Sequence, residues 1–176
     1  GSIGLSIGGG YALKHQKQGR VSVALFGDGT LDEGISYEAL NFASVFELPV
    51  LFLCENNSKA GQRPSSMLAA KALGDVPRAL SIRTDGADVD AVHATISDAL
   101  AHIRKESKPV FVEATLERWP GSHQLKPEFT TGITDIAAAW DEGKIAGQYA
   151  DWTRKFDPIR RFARTLLDGK AVSQDE

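Results

Sequence analysis

Cysteine is almost absent: one residue in 176, Cys54, inside the apolar run "VLFLCEN". A lone thiol closes no internal disulfide, so the expected setting is a reducing compartment, the cytoplasm or an organelle matrix such as that of a eukaryotic mitochondrion, with Cys54 acting as a small buried hydrophobe. Long apolar runs are also missing. Nothing approaches the roughly 18 residues a membrane helix needs, and no charged-then-apolar leader is read at the start, so no membrane partner is expected. There is no basic block either. With 20 Lys and Arg against 23 Asp and Glu, the net charge is −3, which leaves no electrostatic footprint for nucleic acid. An anionic small ligand would need a local cradle.

What is present is an alternation of elements. The length suits one domain, able to bury about 70% of its unfolded surface. Gly8 to Gly10 lead into a short helix, "YALKHQKQG", closed by Gly19, and "VSVALF" (21–26) reads as a largely buried strand. A helix follows from Ile35 to Leu48, with Ile35, Ala39, Leu40, Ala43 and Phe46 at helical spacing and Pro49 as its stop. "VLFLCE" is the second strand, and a short helix is expected over Met67 to Leu73. "LSIRTDG" gives the third strand, Asp88 can cap a helix from Val89 to Lys105, and "PVFVEATLE" gives the fourth strand. This order predicts an α/β fold, a parallel sheet flanked by helices on both faces, with ligands at the carboxyl ends of the strands. The stretch after Arg118 is turn-rich, a last helix covers Pro158 to Leu167, and 168–176 form a polar tail.

Two strand ends carry the chemistry. Asp28 stands between Gly27 and Gly29 straight after the first strand, and Asn57 follows the second, so both should emerge on one edge of the sheet. The glycines let backbone approach something bulky, and the next helix offers unpaired amides to a phosphate. Asp28 would repel a phosphate unless a cation lay between; its carboxylate and an Asn57 oxygen are hard ligands of the kind magnesium takes. Taken singly, Gly-Asp-Gly is also an ordinary helix-start turn and Asn56-Asn57 an ordinary loop start. "GLSIGGG" is no dinucleotide fingerprint, because it precedes a strand instead of following one.

"GDG", 26 residues, then "NN" is similar to the thiamine diphosphate motif of thiamine-dependent enzymes. The longer run "GDGTLDEGISYEALNFASVFELPVLFLCENN" resembles the alpha chain of the decarboxylating component of 2-oxo acid dehydrogenases (pyruvate, branched-chain and acetoin). "DGADVDAV" and "FDPIRRF" are weaker echoes, and the resemblance covers Gly1 to about Leu167. It implies a thiamine diphosphate-binding fold over residues 1–167, the alpha chain beginning further upstream. It further implies magnesium held by Asp28, Asn57 and the Lys59 carbonyl, and diphosphate met by the amides of Gly29 and Thr30 beside Gly27. Gly1 and Ile3 become candidates for holding the aminopyrimidine, with a core role equally open for Ile3. His123, in "RWPGSHQ", departs from the family's "HGHS" loop; it is a candidate catalytic, cofactor- or substrate-facing histidine, the other reading being an exposed loop imidazole. His15, His93 and His102 read as structural or solvated, and Glu55 as a salt-bridged strand-end residue, the other reading being that it orients the loop by hydrogen bonding.

The resemblance also implies partners. The glutamate that activates the cofactor has no match here and would come from a beta chain, in an assembly of two alpha and two beta. A 2-oxo acid would be the substrate and a lipoyl-bearing acyltransferase the acyl acceptor. Two other readings stand beside this one: a different thiamine diphosphate enzyme, transketolase-like or a simple decarboxylase, and a fragment without turnover.

Overall fold

A computed structural model describes residues 1–57, 80–120, 135–147 and 149–174. The helix expected over Met67 to Leu73 lies outside the described residues. The chain divides into two compact units, Gly1–Gly86 with Ala91–Leu116, and Ala87–Asp90 with Glu117–Glu176.

The first unit is built on four parallel strands: β1 (Ser22–Gly27), β2 (Val50–Asn56), β3 (Leu80–Asp85) and β4 (Val110–Thr115), in the order β1-β2-β4-β3. Helices α1 (Ser2–Gln16) and α2 (Gly34–Val45) cover one face, where Ala24, Phe26, Phe52, Cys54 and Phe111 pack with Ile3, Leu31, Leu40 and Ala43. Helix α3 (Val89–Glu106) covers the other, through Ile96, Ala99, Leu100 and Ile103 against Leu51, Leu53, Val110 and Val112. Burial of each large aliphatic here contributes about 1.5–3 kcal/mol. The sheet is thus parallel and helix-flanked on both faces, as the alternation implies.

Three local expectations give way. Helix α1 does not begin after Gly8–Gly10 but at Ser2, and it ends at Gln16 with Lys17 left-handed (φ 53°). Its inward stripe is Ile3, Ser6, Ile7 and Gly10, and two of these four, Ser6 and Gly10, are small residues that hydropathy alone does not mark. Glycine in a helix costs up to about 1 kcal/mol, yet Gly10 has a use: a Cβ there would run into Val50 Cγ2. Among the described residues β1 is an edge strand, and in it only Ala24 and Phe26 are buried well, while Val23 and Leu25 are half exposed. Helix α2 buries Ala39, Leu40 and Ala43 as its spacing predicts, but the edges of that face differ. Ser36 and Ser44 face inward, their hydroxyls donating to the Thr30 and Leu40 carbonyls at 2.6 and 2.7 Å, while Ile35 and Phe46 are exposed.

The second unit holds two 3-10 turns, Ile136–Ala139 and Glu142–Lys144, then α4 (Ala150–Phe156), which periodicity missed, and α5 (Pro158–Asp168). Asp157 caps α5, accepting from the amides of Ile159 and Arg160 at 2.9 and 3.2 Å, and Pro158 fills the first turn where no amide is needed. Buried Arg160 donates to the carbonyls of Ala138 (2.8 Å) and Arg154 (2.9 Å) and pairs with Glu142. Trp119 stacks edge-on against Tyr149 and Trp152.

Candidate functional site

Because β1 and β2 are parallel neighbours, in register from Ser22 with Val50 to Gly27 with Glu55, their carboxyl ends share one edge. The chain leaves β1 through a 3-10 turn, Asp28–Asp32, pinned by fully buried Leu31. The Thr30 carbonyl accepts from the Glu33 amide (3.1 Å) and from Ser36 Oγ (2.6 Å), which closes the turn on its far side. The first amides of such a turn have no carbonyl inside it to bond. Gly29 and Thr30, the candidate diphosphate contacts, are half-buried there.

Asp28 is 8% exposed, and among the described residues no hydrogen bond or ion pair holds its carboxylate. No fully buried side-chain oxygen or nitrogen among the described residues lacks a hydrogen-bond partner, so the Asp28 oxygens open to the strand end, where a cation could reach them. Asn57, half-buried, follows β2 on the same edge. Gly27 has an ordinary extended conformation (φ −80°), and a Cβ added to it would meet nothing within 4 Å. The fold therefore does not itself require glycine at 27; the space a side chain would take lies at the strand end.

The amino end of α1 reaches the same edge, for Ser2 Oγ donates to the Leu25 carbonyl at 3.3 Å. Neither α1 nor α2 has a side-chain cap hydrogen bond, nor does the turn at Asp28. Their first amides are thus not taken up by side-chain caps, though the Ser36 amide of α2 donates to the Glu33 carbonyl at 3.0 Å. Gly1 is exposed at this end, whereas Ile3 is 2% exposed within the apolar cluster, the position of a core aliphatic.

Sequence reasoning passed over a polar cluster at the adjoining strand ends. Glu113 of β4 is register partner to Cys54 of β2 and Arg83 of β3. Its Oε1 accepts from Asn56 Nδ2 at 2.6 Å, and its Oε2 from Arg83 Nε and Nη2, each at 2.7 Å. The available signal was a glutamate inside "VFVEAT", where every neighbour from Val110 to Ala114 is buried. Such a charge must have partners. Glu55, expected in a salt bridge, is exposed.

Cys54 is buried, as its apolar run predicts, and its thiol is pushed up to about 12, chiefly by burial and further by the negative charges of Glu113, Asp28 and Glu55. That edge of the sheet is accordingly electronegative, and a cation would be welcome there. No group of three His, Cys, Asp or Glu poised for a metal exists among the described residues; a site of one carboxylate with amide and backbone oxygens would not form one. Lys59 and His123 lie outside the described residues. His15, His93 and His102 sit on helices α1 and α3, away from any histidine–carboxylate cluster of that kind. No described helix is long and apolar enough to cross a membrane.

Comparison with known proteins adds a family to this geometry. The family described as dehydrogenase E1 component matches residues 2–176. The mitochondrial 2-oxoisovalerate dehydrogenase subunit alpha 2 of Arabidopsis thaliana is 31% identical, over 97% of this chain and 34% of its own length. The mitochondrial pyruvate dehydrogenase E1 component subunit alpha of Dictyostelium discoideum is 30% identical, over 98% of this chain and 43% of its own. The mitochondrial 2-oxoisovalerate dehydrogenase subunit alpha of Homo sapiens is 34% identical, over 92% and 35%. The chain thus spans less than half the length of each of these relatives.

Proposed function

The chain belongs to the dehydrogenase E1 component family, and from that premise we propose that it forms the metal- and diphosphate-binding part of the alpha chain of a thiamine diphosphate-dependent 2-oxo acid dehydrogenase. The observation that carries the reading is Asp28: a nearly buried carboxylate, unpaired among the described residues, on the strand edge that also bears Asn57. A cation resolves the conflict between that charge and the anion-seeking amides around it. Asp28 and Asn57 would give magnesium their side-chain oxygens and Lys59 its carbonyl. The amides of Gly29 and Thr30 would receive the diphosphate, with room left by Gly27. Gly1 and Ile3, at the amino end of α1, would border the aminopyrimidine, Ile3 from beneath as part of the core. His123 is kept as the candidate group facing cofactor or substrate.

Bound there, thiamine diphosphate would supply the electron sink for decarboxylating a 2-oxo acid. The role of this chain's residues is to bind the polar tail, neutralise it through the cation and hold its orientation. Activation of the reactive ring would fall to a beta chain, in an assembly of two alpha and two beta, and the acyl group would pass to a lipoyl-bearing acyltransferase. The names of the relatives support pyruvate or a branched-chain 2-oxo acid as substrate. A reducing compartment, the cytoplasm or a mitochondrial matrix, suits the single free thiol.

Calorimetry on the complete alpha chain, purified with its beta chain, tests the reading. Thiamine diphosphate should bind only with magnesium present, and Asp28→Ala should weaken that binding at least 10- to 100-fold, the loss typical of even an outer partner of a metal site. Turnover of a 2-oxo acid with an artificial electron acceptor should require beta. Magnesium-independent binding unaffected by Asp28→Ala would reject the site.

A further inference from the structure

Asn57 is the first residue after β2, whereas Asp28 opens a 3-10 turn pinned by buried Leu31. The residue before Asn57 is firmly held. Asn56 is 6% exposed and held through backbone and side chain alike: its carbonyl accepts the Leu116 amide at 3.0 Å, and its side chain donates to Glu113 at 2.6 Å. Glu113, 5% exposed, is itself held from the opposite side, where both Arg83 contacts fall on Oε2 and leave Oε1 to Asn56. The carboxylate is therefore divided: one oxygen faces β2 and one faces β3. Arg83 supplies the compensating charge with a side chain two-thirds exposed (66%), so its far side keeps water.

We propose that Glu113 is a positioning residue for the cation site, fixing through Asn56 the point at which the Asn57 side chain leaves the sheet, with Arg83 locking the Glu113 carboxylate in the orientation this requires. The inference rests on the cofactor reading above and deepens it. Only one peptide link separates Asn56 from Asn57, so a shift of Asn56 within the strand end reaches the next residue directly. A ligand already aimed at its metal loses less freedom on binding, and groups that orient ligands typically account for 10- to 100-fold in metal affinity. A purely structural network would instead add to the stability of the sheet end and leave metal affinity alone.

The test measures the apparent magnesium dissociation constant at saturating thiamine diphosphate, by calorimetry on the complete alpha chain with its beta chain, alongside the melting temperature of the cofactor-free protein. Glu113→Gln keeps the shape and should weaken magnesium about tenfold, with cofactor binding recovered at high magnesium. Because Glu113 acts through Asn57, the same substitution in an Asn57→Ala background should cost nothing further. An equal loss in both backgrounds would mean a general field effect and overturn the proposal, as would an unchanged magnesium affinity with a lowered melting temperature. If Glu113→Gln does not fold, Arg83→Met loosens the same carboxylate from an exposed position; a several-fold loss supports the proposal and no loss overturns it. Asp28→Ala separates the two levels. If it too leaves magnesium affinity unchanged, the cofactor reading fails and takes this role with it; if it abolishes affinity while Glu113→Gln does nothing, only the positioning role fails.

Discussion

Gly10 of α1 lies against Val50 of β2 so closely that a Cβ at position 10 would collide with Val50 Cγ2. Helix and sheet meet there backbone to side chain, and the amino end of α1 is carried to the strand edge where Asp28 sits. Gly10→Ala should destabilise the protein by about 1–3 kcal/mol, the usual cost of overpacking a filled core. Gly8, exposed and with nothing within 4 Å of an added Cβ, should respond in the opposite direction, with Gly8→Ala gaining about 0.5–1 kcal/mol from better helix propensity. Chemical denaturation of the two variants checks the contrast. Equal effects would mean that the glycine stripe is not what sets the helix–sheet distance.

The thiol of Cys54 gives a second expectation, with a definite sign. Burial and neighbouring carboxylates raise its pKa from 9.0 to about 12, so the folded protein keeps the proton that the unfolded chain gives up. Stability from this group is intact below pH 9.0 and is lost as pH rises towards 12. Cys54→Ala should remove that part of the alkaline slope. A thiol reagent at neutral pH should label Cys54 slowly in the native protein and quickly in denaturant; rapid native labelling would contradict the burial of β2's carboxyl end.

Much of this fold was readable where large apolar residues repeat. The strands and α3 announce themselves in "VLFLCE", "VFVEAT" and the Ile96–Leu100–Ile103 spacing, and the Asp157–Pro158 pair marks the start of α5. Helix α1 was misplaced because its buried stripe is Ser6 and Gly10, whose value lies in being small and not in being apolar. The inward serines of α2 went unread for a similar reason: Ser36 and Ser44 bury hydroxyls that satisfy themselves on backbone carbonyls. Asp28 and Asn57 were legible as a pair, since parallel adjacent strands must bring their ends together. The support beneath them was not. Strand order decides that Glu113 falls between Asn56 and Arg83, and nothing local in the sequence encodes the order β1-β2-β4-β3.

In the second unit, Arg160 is the residue whose loss should be felt most. Its guanidinium satisfies two backbone carbonyls, those of Ala138 and Arg154, in a site that leaves the residue 6% exposed. Arg160→Met would keep much of the volume but leave both carbonyls without these donors, at about 1–3 kcal/mol for each unsatisfied group. Asp157→Ala, which removes the cap of α5, should cost about 1 kcal/mol. Hydrogen exchange over residues 158–168 measures both, and the Arg160 variant should lose the more protection. Protection unchanged in Arg160→Met would show that these carbonyls find other donors.

Asp28 sets stability against binding, and the two can be read separately. Its carboxylate is 8% exposed and unpaired among the described residues, and Glu113 and Glu55 contribute like charge around the same strand end, as the raised Cys54 thiol records. Without a cation the carboxylate adds no pairing to the fold and sits among like charges, with only the water that the strand end admits to its oxygens. Asp28→Asn removes the charge and keeps the shape, so the cofactor-free protein should melt at the same temperature or higher. With magnesium and thiamine diphosphate the order should reverse. A ligand present at 100 times its dissociation constant stabilises the folded state by about 2.7 kcal/mol, a gain open to the parent protein and withheld from the variant. Thermal melting of the complete alpha chain with its beta chain, with and without the two ligands, gives all four values. A lower melting temperature for ligand-free Asp28→Asn would mean that the carboxylate holds the fold together and is not kept for a cation, and equal ligand-induced shifts in the two proteins would remove Asp28 from the site.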